Sequence, residues 1–227
     1  MKPRVLLGIT LFFHSLIAVA DMYVDRSIVV FEGNSQPRQD VKVSNTGEEV
    51  IYVEVEVLAV ENPGTPDETR SVVSNPQDLK LLATPTKLIV PPGGQKLVRI
   101  VNLQPRNSDE RVYRINVTPI VAPLQEETSQ LRIVVAYQIL TIVQPDSPES
   151  KLTAVRRGNQ IVFENEGNTN VLLSEGQQCD PAVPDSCQEL PSRRLYAGNS
   201  WTLDLPFNAP LSYSVRSFDG IKKEIFQ

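Results

Sequence analysis

Cys179 and Cys187 are the residues whose type and spacing most directly imply a covalent reaction. In an exported chain such a pair oxidises to a disulfide. The residues between them, Asp180-Pro-Ala-Val-Pro-Asp-Ser186, are turn material that suits a stapled surface loop. The loop-entropy model assigns roughly 2–3 kcal/mol to a ring this small. A metal held by the pair would need further ligands, and the chain has no other cysteine and a single histidine, His14, which falls in an N-terminal leader. Without it neither a Ser-His-Asp nor a Cys-His site can be built, nor a His-ligated zinc. The spacing is also not the Cys-x-x-Cys of redox enzymes. Acidic neighbours such as Asp67 with Glu68 and Glu126 with Glu127 stand in polar turns, where solvation accounts for them better than a hydrolytic acid/base pair does. The expectation is a protein that is not an enzyme and carries no metal or cofactor.

The first twenty residues read as an address. Lys2 and Arg4 form a basic start, Val5 to Ile17 is mostly apolar, and Ala18-Val-Ala20 offers a small-residue cleavage site, so the mature chain is expected to begin near Asp21. The apolar run is shorter than the ~20 residues a bilayer span requires, and no later segment approaches that length. Export without stable membrane insertion is expected. Removing Lys2 and Arg4 leaves 20 basic against 27 acidic side chains, a mature net charge of −7. That balance argues against nucleic acid as a partner.

The elements that must position any site are strands. Eighteen prolines and eleven glycines, scattered as short punctuation, cut the chain into brief β-branched segments. Tyr23–Phe31, Gln39–Asn45, Val50–Val60, Leu88–Val90, Gln95–Asn102, Arg111–Pro119 and Leu131–Val143 are predicted strands, a number and spacing that suit an immunoglobulin-like sandwich over residues 21–144. Gln144-Pro-Asp-Ser-Pro-Glu-Ser150 has two prolines and no apolar residue, which places a linker at 145–150. Beyond it, Leu152–Val155, Gln160–Asn165, Val171–Glu175, Ser192–Tyr196, Ser200–Leu205 and Leu211–Ser217 predict a second, smaller β-sandwich at 151–227. A core that size is thin, which gives the disulfide a purpose. The expected fold class is all-β: two sandwich domains with a cleft between them.

One of these strands is anomalous. From Leu131 to Val143 the odd positions Leu131, Ile133, Val135, Tyr137 and Ile139 form an unbroken apolar row, while the even positions carry only Arg132 and Gln138 among Val134, Ala136, Leu140 and Ile142. A strand in a water-facing antiparallel sheet shows one polar face. Either both faces of this one are buried in its own fold, or one is kept for a partner.

The sequence resembles the periplasmic pilus chaperones of the chaperone–usher pathway, the PapD-like superfamily. The resemblance is carried by Tyr23-Val-Asp-Arg-Ser-Ile-Val-Val-Phe31 with Glu32-Gly33, by Val43-Ser-Asn45, and by Thr84-Pro-Thr-Lys-Leu-Ile-Val-Pro-Pro-Gly-Gly-Gln-Lys-Leu-Val-Arg-Ile100. Glu110-Arg-Val-Tyr-Arg-Ile115 and the strand ending at Pro145 complete it. Asn62-Pro-Gly-Thr65 and Val112-Tyr-Arg114 are more similar to the alternate branch, which serves colonisation-factor fimbriae.

The resemblance implies immunoglobulin-like domains in a boomerang arrangement, a periplasmic location, pilin subunits as cargo and an outer-membrane usher as the receiving partner. It implies that Leu131, Ile133 and Val135, with Tyr137 as a weaker fourth, fill the groove of a subunit that lacks its own last strand. Three such side chains contribute roughly 5–9 kcal/mol by area, before ordering costs. Free chaperone is then expected to self-associate through that strand. The family's two basic residues for a subunit's terminal carboxylate align with Ile28 and Leu140, so a relocated anchor would have to come from Arg26, Arg114 or Arg132. Its interdomain carboxylate–arginine network aligns with Glu110, Asp219 and Gln144, the last replacing the arginine. The competing reading is an exported two-domain adhesin or carbohydrate-binding module. It suffers from a single tryptophan, Trp201, expected in the second core.

Overall fold

A computed structural model describes residues 22–33, 35–73, 75–105, 108–120 and 134–227. The leader lies outside them, and so do Leu131, Arg132 and Ile133 of the predicted last strand. The first group of strands is β1 (Met22–Val24), β2 (Ile28–Phe31), β3 (Arg38–Asn45), β4 (Ile51–Glu61), β5 (Thr69–Val72), β6 (Leu81–Thr84), β7 (Lys87–Val90), β8 (Gln95–Asn102), β9 (Arg111–Ile120) and β10 (Tyr137–Val143). They form two sheets, β1-β3-β8-β6 and β2-β10-β9-β4-β5, with β7 pairing the start of β4. Period-two alternation decides what each strand buries: in β4, Val53 and Val55 face the core while Tyr52, Glu54 and Glu56 face out. Val41, Val43, Val98 and Ile100 from one sheet meet Phe31, Val53, Ile115, Val117 and Ile139 from the other in one continuous core.

After the linker come β11 (Leu152–Arg157), β12 (Gln160–Asn165), β13 (Val171–Asp180), β14 (Val183–Leu190), β15 (Arg193–Leu195), β16 (Ser200–Asp204), β17 (Leu211–Ser217) and β18 (Gly220–Phe226). Their sheets are β11-β12-β16 and β14-β13-β17-β18, with β15 against β13. A separate core gathers Phe163, Leu173, Leu195, Leu211 and Tyr213. Trp201 stacks on Phe163 with ring centroids 5.7 Å apart, at the edge of that core rather than on an open aromatic platform. No strand pairing joins the two groups among the described residues.

Two expectations need correction. Tyr23–Phe31 is not one strand: Asp25, Arg26 and Ser27 are exposed and bend the chain, so that β1 pairs antiparallel with β3 while β2 crosses to the other sheet and pairs parallel with β10. One strand serving both layers of a sandwich has to break where it changes layer. The segment between the cysteines is also not a loop. Cys179 and Cys187 are bonded directly opposite one another in the β13–β14 hairpin. Pro181 and Pro184 conceal this in the sequence, yet β14 is an edge strand, where a missing N–H is tolerated.

β10 shows which way the anomalous strand faces. Ile139 and Val143 are buried in the first core, and Tyr137 packs against its rim, its hydroxyl donating to the Met22 carbonyl at 2.9 Å. Leu140 and Ile142 are also buried, but in a different cluster with Val112 and Tyr196. From Ile139 onward, then, both faces are covered by the protein's own residues. Between Ile139 and Val143, Thr141 is fully buried and its hydroxyl has no partner among the described residues. Thr141→Val should therefore stabilise the protein by about 1 kcal/mol, read as a higher urea midpoint at unchanged slope.

Candidate functional site

The outer face of the β2-β10-β9-β4-β5 sheet is built in rows by strand register. Ile28, Leu140, Arg114, Leu58 and Val72 stand side by side across all five strands. The next row is Val30, Ile142, Val112, Val60 and Arg70. Tyr196 of the second domain covers this second row, packing with Val112, Leu140 and Ile142. The first row stays open at its ends, with Ile28 45 % and Val72 49 % exposed. The result is an apolar cleft floor with one guanidinium at its centre, and the Nε of that residue, Arg114, is buried without a hydrogen-bond partner among the described residues.

The walls of the cleft are the contacts between domains. Glu110, immediately before β9, accepts at its Oε2 from Thr169 Oγ1 (2.6 Å), the Asn170 N–H (3.0 Å) and Asn170 Nδ2 (2.7 Å). Arg194 donates to the Asn170 side-chain oxygen, and its own burial disfavours the charge, with Tyr196 and Glu110 opposing that effect. On the other side, the turn after β4 docks on the second domain: Arg193 donates to the Gly64 carbonyl (3.0 Å) and Asn199 to the Pro63 carbonyl (2.9 Å). Gly64 has φ of 74°, and a Cβ there would stand 2.8 Å from Asn199 Nδ2 and 2.9 Å from Tyr196 Cδ2, so both conformation and contact call for glycine.

That turn ends in a second charged group. Arg70 Nε and Nη2 converge on Glu68 Oε1 at 2.8 and 2.6 Å, while Glu68 Oε2 accepts from the Gly64 N–H at 2.8 Å. Arg70 Nη1 reaches over the sheet to Gln138 Oε1 of β10 at 2.8 Å. Gln138 continues the line to Asn116 at 2.9 Å. Partial burial pushes the Glu68 carboxyl up, but the Gly64 N–H, Arg70 and the nearby charge of Arg114 outweigh it and hold it below the ordinary carboxylate value.

The residues singled out from the sequence are distributed unevenly over this site. Glu110 is in the interdomain contact. Gln144, one residue beyond the pairing of Val143 with Arg111, is buried in the chain's passage to the linker, its N–H donating to the Phe31 carbonyl at 3.0 Å. Asp219 is elsewhere: it sits in the β17–β18 turn, bonded to Ser217 and to Lys222 (3.1 Å), which hold its carboxyl low. This is a plain turn and not a partner of Glu110. Arg26 lies in the exposed β1–β2 bend, 3.5 Å from Asp25. Arg114 is on the cleft floor, and Ile28 and Leu140 are directly opposed beside it. Arg132, Leu131 and Ile133 are outside the described residues. Val135 is half-buried just ahead of β10, between the exposed Val134 and Ala136, so the alternation of the strand continues past its hydrogen-bonded end.

The Glu68–Arg70 pair, Tyr196 and Asn170 belong to the site although the sequence reading does not single them out. Solvation in a polar turn does not account for Glu68 after all. The signal that it does not is the Glu68-x-Arg70 spacing, which puts both side chains on one face once the segment is extended.

Comparison with known proteins places the chain in a family. Residues 21–149 match the model of the pili and flagellar-assembly chaperones, PapD N-terminal domain. The chain is 24 % identical over 202 residues to a CFA/I fimbrial subunit of Escherichia coli, covering 85 % of this chain and 83 % of that one. It is 25 % identical over 191 residues to a CS1 fimbrial subunit of Escherichia coli, covering 79 % of each. Among solved structures, the class 5 fimbriae chaperone CfaA shares its fold at 20 % identity with a TM-score of 0.64 over 91 % of this chain and 99 % of that chain. So does the complex of Salmonella enterica SafA pilin with the SafB chaperone, at 15 % identity and a TM-score of 0.66 over 93 % and 98 %.

Proposed function

The chain belongs to the family of pili and flagellar-assembly chaperones, and from that premise we propose that it works in the periplasm on fimbrial subunits, lending them the segment that leads into β10. The observation that carries this reading is the change of environment along one row of side chains. Ile139 and Val143 are spent on the chaperone's own core, whereas Val135 continues the row beyond the last paired residue, Tyr137. Ile133 and Leu131, two and four residues earlier, would extend it into a groove supplied by the subunit. Strand complementation supplies the free energy, so neither ATP nor a catalytic group is required. Release comes when another subunit's strand replaces the lent one at an outer-membrane usher. The two Escherichia coli relatives are named for CFA/I and CS1 fimbriae, which supports the colonisation-factor branch. Trp201, held against Phe163, gives no support to a carbohydrate-binding module.

The cleft supplies the second contact. With Ile28 and Leu140 in place of basic residues, Arg114 is the cation at the centre of the floor, and it takes the subunit's terminal carboxylate. Co-expression in the periplasm with subunits encoded beside its gene tests both parts. The wild type should co-purify with a subunit, and Arg114→Ala should reduce the yield at least tenfold while its own melting temperature stays within a few degrees. Undiminished co-purification by Arg114→Ala would remove Arg114 from the site. Failure of the wild type to co-purify with any of these subunits would remove the function.

A further inference from the structure

We propose that Glu68 is a built-in stand-in for the subunit's terminal carboxylate, occupying Arg70 in the free chaperone and leaving when cargo arrives. The inference rests on the reading of Arg114 as a carboxylate receptor and adds to it a competitor carried by the chain itself. A structural ion pair needs only its two partners, and Glu68–Arg70 has more. Two nitrogens of Arg70, Nε and Nη2, converge on a single oxygen, Oε1, rather than forming the parallel two-oxygen fork that guanidinium and carboxylate prefer. The other oxygen is taken by the Gly64 N–H. The pair is therefore made with less than its best geometry, and a carboxylate that enters along the floor can offer Arg70 a full fork.

The surroundings favour such an exchange. Register puts Arg70 and Arg114 on the same face of the sheet, in adjoining rows two strands apart. The Nε of Arg114 is already buried with no partner among the described residues, which gives an incoming carboxylate a first foothold. Among the charged groups along the cleft, Arg70, Arg114, Arg193 and Arg194 outnumber Glu68 and Glu110, so positive charge predominates. Glu110 is committed to Thr169 and Asn170, so Glu68 is the carboxylate that can yield.

The exchange would be felt at both ends of the site. Arg70 also holds Gln138, the second residue of β10, and Gly64 is gripped by Arg193 and packed under Tyr196. Displacing Glu68 therefore loosens the turn that docks the second domain while re-aiming the arginine that braces the root of the lent strand. A subunit's terminus in the cleft and its groove on the strand are coupled through one side chain.

The test uses N-acetylphenylalanine, a minimal chain terminus with a free carboxylate, and its amide as control, titrated into the mature two-domain protein. The arginine Nε–H and side-chain carboxyl resonances are followed by NMR. The acid should shift the Arg70 and Arg114 signals and carry the Glu68 carboxyl resonance toward that of a free glutamate, and the amide should do neither. In Glu68→Gln, which keeps an oxygen for the Gly64 N–H, the acid concentration at half-saturation should fall about tenfold, the worth of one charge-assisted hydrogen bond. If acid and amide act alike, the cleft does not read a carboxylate, and the anchor reading fails together with this one. If the acid alone binds but Glu68 stays unmoved and Glu68→Gln binds no tighter, the anchor stands and the stand-in is wrong.

Discussion

Val135→Asp leaves this chaperone folded and abolishes recovery of a subunit, whereas Ile139→Asp, four residues along the same row, yields no folded protein. The two positions are chemically alike and share one face of one strand. They differ in what covers them. Ile139 is 1 % exposed among Phe31, Ile115 and Val143, and an unpaired carboxylate there costs more than about 5 kcal/mol, comparable to the whole stability of a domain. Val135 is half-buried ahead of the last paired residue, so a charge placed there reaches water in the free protein and meets the subunit's apolar groove only in the complex. Circular dichroism of the free variants and co-purification with a subunit from periplasm separate the two effects. Loss of native structure in Val135→Asp would mean that the row is core throughout, and the lending of a strand would have to be abandoned.

Glu110→Ala should detach the two domains without unfolding either. Three donors from the second domain meet on one oxygen of Glu110, and removing it strands the Asn170 amide and the Thr169 hydroxyl in a part-buried contact. Charge-assisted bonds of this kind, lost together, cost about 2–4 kcal/mol of docking. The expected results are a larger radius of gyration by small-angle scattering, faster proteolysis within residues 145–150, and a melting curve that splits in two. Asp219→Ala is the matched control: its carboxylate serves an exposed turn with Ser217 and Lys222, and its removal should shift stability by no more than about 0.5 kcal/mol. A compact, singly melting Glu110→Ala would show that Tyr196 and the Gly64 turn hold the domains by themselves.

The strands that bury one face and wet the other are legible in the sequence because alternation is a local property: Gln95–Asn102, Gln160–Asn165 and Leu211–Ser217 coincide with the observed elements. What stays hidden is set by distant pairing. β14 and β18 carry no apolar alternation and become strands because β13 and β17 offer them edges. The break at Asp25–Ser27 follows from two sheets competing for one segment, which no window of neighbours reveals. The same division holds at the site. Ile28 and Leu140 stand out in the sequence as departures from a basic pair, and the parallel register sets them directly opposite one another. The role of Tyr196, more than fifty residues beyond Leu140, depends on how two domains meet, and composition carries no trace of it.

The double fastening of β10 has a consequence for cargo. Its residues are paired on one side with β9 and on the other, in parallel, with β2, while Ile139 and Val143 lie in one core and Ile142 under Tyr196. Sliding the strand by a single residue would turn every one of these side chains to the wrong compartment, so slippage is closed to it. Residues 134–136, just ahead of Tyr137, thus leave from an immovable root. On the proposed function, a subunit that pairs with the segment they lead from cannot choose its own alignment; it inherits a phase fixed inside the chaperone. Which side chains enter which pockets is then decided before the two proteins meet, and a cargo whose pockets are out of step by one residue is refused by geometry, however apolar its groove.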